Sequence, residues 1–135
     1  RKSAVLYRPG KWITHNDEQY LTSGWSTNEG THRWSEGRGA RIDFKLKSRR
    51  ADTSMKLIIV PKMVLGIQRV KIFINETLVA EQVFEKNEKF IVEFNSNILT
   101  PYSSNSIRFV FPGAKTYKSD SRLMAVALGK VGLFY

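Results

Sequence analysis

The chain has 135 residues, with 22 Lys and Arg against 12 Asp and Glu, a formal net charge of +10, 41% hydrophobic and 12% aromatic residues, and no cysteine. That length and apolar fraction allow a single domain, residues 1–135, burying roughly two-thirds of its unfolded surface, and exclude whole-chain disorder. Without cysteine neither a disulfide framework nor a thiolate zinc site can form, and no apolar run approaches the roughly 20 residues that cross a bilayer as a helix.

The first thirty or so residues carry little regular pattern. Residues 9–39 read as one long irregular stretch, the kind of segment that tends to hold functional loops. From Ala40 to Lys47 apolar and charged residues alternate strictly, which predicts a half-buried strand. Met55–Val60 is a short apolar run that the sequence reads as a central buried strand, ended by Pro61. Val70–Ile74 predicts a further strand, and Asn75-Glu76-Thr77 a turn into Leu78–Phe84. Since Asn75 is followed by Glu76 and not by glycine, a tight type I′ turn is disfavoured and a longer hairpin loop is expected. Phe90–Phe94 and Ser106–Phe111 are strands, the second stopped by Pro112-Gly113, with room for one helical turn near Asn97-Ile98-Leu99. The last run, Leu123–Phe134, has small residues at Ala125, Ala127, Gly129 and Gly132 and suits a closely packed closing strand. Many short strands and no capped amphipathic helix predict an all-β, antiparallel β-sandwich of jelly-roll topology.

Ahead of the first clear strand stands Gly24-Trp25, then Glu29, then Arg33-Trp34-Ser35-Glu36-Gly37-Arg38. Tryptophan faces stack on sugar rings or fill cores, a carboxylate accepts hydrogen bonds from hydroxyls, and arginine can grip an acidic group with two parallel bonds. Trp34, leading into a strand, reads first as a core residue, whereas Trp25, in the loop, divides between core and sugar face; Trp12 reads as packing. Glu29 either meets hydroxyls or pairs with Arg33 or caps its loop. Arg33 and Arg38 either bind an acidic group or serve as surface charge. Asn16, Asp17 and Glu18, following His15, offer oxygens for calcium, although neighbouring residues rarely converge on one point, and a simple turn is the default. His15 and His32 are the only histidines; no nucleophile elbow, His-Glu-x-x-His pair or phosphate-binding glycine loop accompanies them. Asn75-Glu76-Thr77 also matches a glycosylation acceptor. The densest basic region is Arg38, Arg41, Lys45, Lys47, Arg49 and Arg50.

In order along the chain, Gly24-Trp25, Glu29, Trp34-Ser35-Glu36-Gly37-Arg38-Gly39-Ala40, Gln68-Arg69-Val70 with Asn75, Phe111-Pro112-Gly113-Ala114 and Arg122-Leu123 resemble a known family. It is the galactose-binding-like β-sandwich accessory domains of bacterial cell-envelope glycan enzymes, of the membrane glycosyltransferase and phosphoglycerol-transferase type. The resemblance covers about residues 20–134. It implies a non-catalytic module that binds or positions glycan, through Trp25, Glu29, Arg33, Trp34 and Arg38, for a larger parent enzyme in the cell envelope or periplasm. The start at Arg1-Lys2-Ser3 agrees with a piece of a longer protein. Arg69 and Arg122 occupy matching positions, where each can simply form an ion pair. The positive charge favours an acidic or phosphorylated glycan as partner. No cofactor is expected, calcium apart, and no specific nucleic acid. Two other readings stay open: a docking or oligomerisation module using Phe73 and Val110, and a nonspecific binder of polyanions such as nucleic acid or anionic membrane.

Overall fold

A computed structural model describes residues 5–135, folded as two packed β-sheets. The strands are β1 (Leu6–Tyr7), β2 (Trp12–Thr14), β3 (Leu21–Ser23), β4 (Arg33–Trp34), β5 (Gly39–Leu46), β6 (Ser54–Val64) and β7 (Gln68–Ile74). They continue as β8 (Thr77–Phe84), β9 (Phe90–Asn95), β10 (Ser104–Val110), β11 (Lys115–Tyr117), β12 (Asp120–Met124) and β13 (Val126–Phe134). One sheet has the order β1-β5-β10-β7-β8, with β3 also on β5; the other has β2-β13-β6-β9, with β4 also on β13. β11 and β12 form a separate hairpin. All pairings are antiparallel except the short parallel contact of β1 with β5. Among the described residues the one helical turn is a 3₁₀ turn at Ser96–Ile98, where the sequence places it.

Period-two alternation builds the core. Ala40, Ile42, Phe44 and Leu46 of β5 and Val70, Ile72 and Ile74 of β7 point inward from the first sheet. Met55, Leu57 and Ile59 of β6 and Val131 and Leu133 of β13 meet them from the second. A one-residue slip would turn each of these rows to solvent, so the register is strongly set. Gln68 is fully buried at the start of β7, where its side-chain amide donates to Leu65 O and Gly113 O and ties two loops together. Tyr7 is also interior. Its hydroxyl donates to Lys11 O at 2.5 Å and accepts from Leu133 N at 2.9 Å, and burial pushes its ionisation up to about 12.

Two expectations are corrected. Pro61 does not end its strand: β6 continues to Val64, and the ladder with β13 absorbs the missing N–H by shifting register on both sides of Leu128↔Pro61. The second shift leaves Gly129 as the unpaired residue of a bulge; a β-carbon there would lie 3.0 Å from Val60 O. The hairpin between β7 and β8 is not long. Ile74 pairs with Thr77, and Asn75 and Glu76 both have positive φ, 48° and 65°, so the turn is a two-residue one of the type I′ kind. Asn75 tolerates that conformation because its side chain is held on three sides. Its Nδ2 donates to Ile98 O and Asn105 Oδ1, and its Oδ1 accepts from Ser106 N. Glu76 is held by a two-pronged ion pair with Arg108. Both amide hydrogens of Asn75 are thus engaged, which leaves the acceptor pattern at this turn without a free amide. Arg108 in turn lies over the Phe73 ring, its guanidinium carbon 4.2 Å from the centroid, and Phe73 and Val110 are both half-buried.

Candidate functional site

The long irregular stretch is not structureless; it supplies β2 and β4, both on β13, and β3, which lies on the first half of β5. Gly24 makes this possible. Its φ is +79°, and the chain crosses so close to Gly39 and Ala40 that no β-carbon fits. From there Trp25 bridges to Ser35, Glu36 N donates to Gly24 O, and the loop closes on itself.

Trp25 takes the core side of a reading the sequence left open, and Trp34, read first as a core residue, takes the outer place. Trp25 packs against the core, edge-on to Phe109 at 6.1 Å, and its indole N–H donates to Arg41 O at 3.0 Å. Trp34, in β4, is half-buried and lies outside the core cluster, its ring edge-on to His32 at 5.9 Å. The chain direction explains the place of Trp34. β4 is a two-residue strand on the sandwich margin, pairing only with Leu128 and Ala127, so its side chains have no second sheet above them. Short strands of this sort carry no periodicity from which a facing could be read.

Glu29 does not pair with Arg33. Its carboxylate accepts from Ser26 Oγ at 2.9 Å and from Arg122 at 2.9 Å, and Arg122 is gripped from its other side by Asp120 at 2.7 Å. The Arg122 hydrogen bond holds the Glu29 carboxyl below its ordinary range, against a smaller opposing effect of burial. The same guanidinium, with the Arg122 backbone N–H, holds Asp120 down at about 2. The two carboxylates in turn raise the Arg122 ionisation, so all three groups are charged at neutral pH. Arg122 and Glu29 keep 29% and 30% of their side-chain surface, enough for an outside hydroxyl to reach them. Backbone bonding joins this cluster to the ring pair, since Glu29 N donates to His32 O.

Arg33 is consumed internally. Its Nε donates to His15 O at 2.6 Å and its Nη1 to Ser26 O, with Glu18 at 3.8 Å, and only 11% of its side chain is exposed. Arg38 is exposed at the head of β5. The oxygens of Asn16, Asp17 and Glu18 go separate ways: Asp17 accepts from Thr14, Asn16 accepts from Asn28, and Glu18 faces Arg33. Among the described residues no three His, Asp or Glu side chains converge as a metal site would require. Of the proposed binding residues, the structure therefore brings Glu29 and Trp34 together and sends Trp25 and Arg33 inward. Asp120 and His32 are the members that sequence reasoning missed. Asp120 lies 91 positions from Glu29, and only its spacing of two from Arg122 hinted at a local pair.

The strand orders and the packing of these two sheets define a galactose-binding-like jelly-roll β-sandwich. Solved structures with the same fold include a family 35 carbohydrate binding module from Clostridium thermocellum, 11% identical over 93% of this chain and 98% of that one, with a TM-score of 0.57. A family 35 module from Paenibacillus barcinonensis is 9% identical over 95% and 91%, at 0.52. The Podospora anserina GH26-CBM35 β-(1,4)-mannanase is 12% identical over 92% of this chain and 27% of that one, at 0.60. No protein-family model and no curated protein matches the sequence.

Proposed function

We propose that this protein is a non-catalytic carbohydrate-binding module whose glycan site is the loop end of the sandwich. One observation carries the reading: Trp34 lies outside the core cluster, and Ser26 Oγ, which accepts from Trp34 N, donates to Glu29 of the fixed Glu29–Arg122–Asp120 cluster. The ring buries the apolar face of a sugar, while the cluster's spare lone pairs and N–H groups meet its hydroxyls. The arrangement needs no reorganisation, because each charged side chain is already held by another. Likeness in fold to family 35 modules, one of them covering about a quarter of a mannanase chain, supports a module that works beside a larger glycan-active domain. We place that parent among the polysaccharide enzymes of the bacterial cell envelope. A small polar ligand leaves limited apolar area to bury, so modest affinity is expected.

The test is a glycan-array screen of the wild type, Trp34→Ala and Arg122→Ala, each checked for folding by near-ultraviolet circular dichroism. Selective binding by the wild type that disappears in folded Trp34→Ala supports the assignment. A folded wild type that binds no glycan, or a Trp34→Ala variant that binds as well as the wild type, refutes it.

A further inference from the structure

A sizeable opening lies at the other end of the sandwich. β5 starts at Gly39, beside the loop end, and finishes at Leu46, about 24 Å away at the usual strand rise. Past Leu46 is a cleft of about 510 Å³ whose lining includes Arg8, Lys47, Arg49 and Arg50 and no Asp or Glu side chain. Tyr135 closes it, its hydroxyl accepting from Arg50 N at 2.8 Å while the Arg50 guanidinium carbon sits 4.3 Å from its ring centroid. Arg49 is oriented by a bond from its Nε to Leu99 O at 2.7 Å.

A second cleft, of about 360 Å³, adjoins the first through Leu6, Tyr7 and Arg8, and carries Lys11 and Trp12. Trp12 is 37% exposed. It leans edge-on against Phe134 at 4.8 Å, with Lys130 Nζ 4.4 Å from its ring centroid. The only carboxylate in this second lining is Asp17, which already accepts from the Thr14 N–H and hydroxyl. Arg8, with Leu6 and Tyr7, lines both clefts, so the two adjoin as a basic groove with Tyr135 in one lining and Trp12 in the other.

We propose that this groove is a second binding site, for an acidic oligosaccharide: the cations take its carboxylate, sulfate or phosphate groups, and Trp12 and Tyr135 take sugar faces. Three observations select that ligand. Each cleft falls within the usual span of small-ligand sites, roughly 300–1,000 Å³, and neither is a broad duplex-binding surface. Each ring has a cation fixed against it, which suits a sugar bearing an acid beside its apolar face. The linings carry no Asp or Glu side chain besides Asp17, which is already bonded to Thr14, so no side chain in them repels an acidic group. The inference shares with the preceding section the premise that this module binds carbohydrate, but it uses different residues, and the two can fail separately.

The test is calorimetric titration with three probes: a galacturonic acid trisaccharide, its fully methyl-esterified neutral form, and a single-stranded oligothymidylate. Sulfated and phosphorylated trisaccharides follow if the uronate is silent. The proteins are the wild type, Arg8→Ser, the double variant Lys47→Ser/Arg50→Ser, Trp12→Ala and Trp34→Ala. An acidic trisaccharide should bind the wild type and lose about tenfold or more in affinity in each groove variant. Its neutral ester should bind far more weakly, and Trp34→Ala should leave acidic binding unchanged. The inference is overturned if no acidic trisaccharide binds, if the folded groove variants bind it as tightly as the wild type, or if oligothymidylate binds the groove as tightly as the acidic sugar. Loss of acidic binding in Trp34→Ala alone would move that ligand to the loop end. Neutral-glycan binding with a silent groove would end this inference and leave the loop-end reading standing.

Discussion

Asn75 shows how one side chain can make a turn that its neighbour argues against. The step from β7 to β8 needs left-handed φ at two positions, and the second is filled by a glutamate. Asparagine accepts this conformation more readily than most residues, and here its amide also stitches the turn to the 3₁₀ segment and to β10. Asn75→Ala loses those bonds and the tolerance together, and should cost about 3 kcal/mol in urea unfolding. Asn75→Gly restores the tolerance alone and should cost distinctly less; equal losses would mean that backbone preference plays no part. Trp25 and Trp34 give a second contrast. Trp25→Ala empties space against Phe109 and removes one of the two side-chain donors to the Arg41 carbonyl, so it should destabilise by about 3 kcal/mol, whereas Trp34→Ala should change the unfolding midpoint little. If Trp34→Ala proves the more damaging, the assignment of Trp25 to the core and Trp34 to the surface is wrong.

At the scale of elements, β12 and the Glu29 loop are joined chiefly by Arg122. Glu29 and Asp120 both titrate below their ordinary values of 4.5 and 3.8. Groups lowered on folding stabilise the fold above their ordinary range, and that contribution fades as pH falls through the lowered values. The linkage should therefore weaken from about pH 4.5 downward and be lost only below about pH 2. Arg122→Ala should melt below the wild type at pH 7, with the gap closing as the medium is acidified across that window. A gap that stays constant down to pH 2 would remove the ion pairs from the explanation. The elements divide by length in how far the sequence disclosed them. β5, β7, β8, β9 and β10 could be read from alternation, because each has six or more residues facing a core on one side. β1 to β4 and β11 have two or three residues each and borrow their pairing from longer partners, which no local pattern records. Pro61 misled for a related reason. Its missing donor is a fault in its own strand, but the remedy is shared with β13, Lys62 being skipped on one side and Gly129 on the other. The candidate site was half legible on the same grounds: Glu29 and Trp34 stand close in sequence, while Arg122 and Asp120 arrive from the far end of the chain.

For the molecule as a whole, most of the ladder joins residues far apart in the chain: β5 lies against β10 and β2 against β13. Sheets built from such pairings close their loops before contacts reward them, so refolding should occupy the millisecond-to-second range. The first and last strands are also neighbours. Gly10 N donates to Leu133 O, Leu133 N donates to Tyr7, and Leu6 and Tyr135 line the same cleft. A loop on the opposite side of the chain, Glu85–Lys89, is wholly exposed. A short flexible link from Tyr135 back to Val5, with the chain cut open between Lys86 and Glu88, should give a circular permutant with the native near-ultraviolet spectrum. An unfolded product would mean that the run from β1 to β9 must be continuous. The sandwich is in effect a ring of strands with a seam at the basic groove, and a ring can be opened elsewhere without changing who sits beside whom.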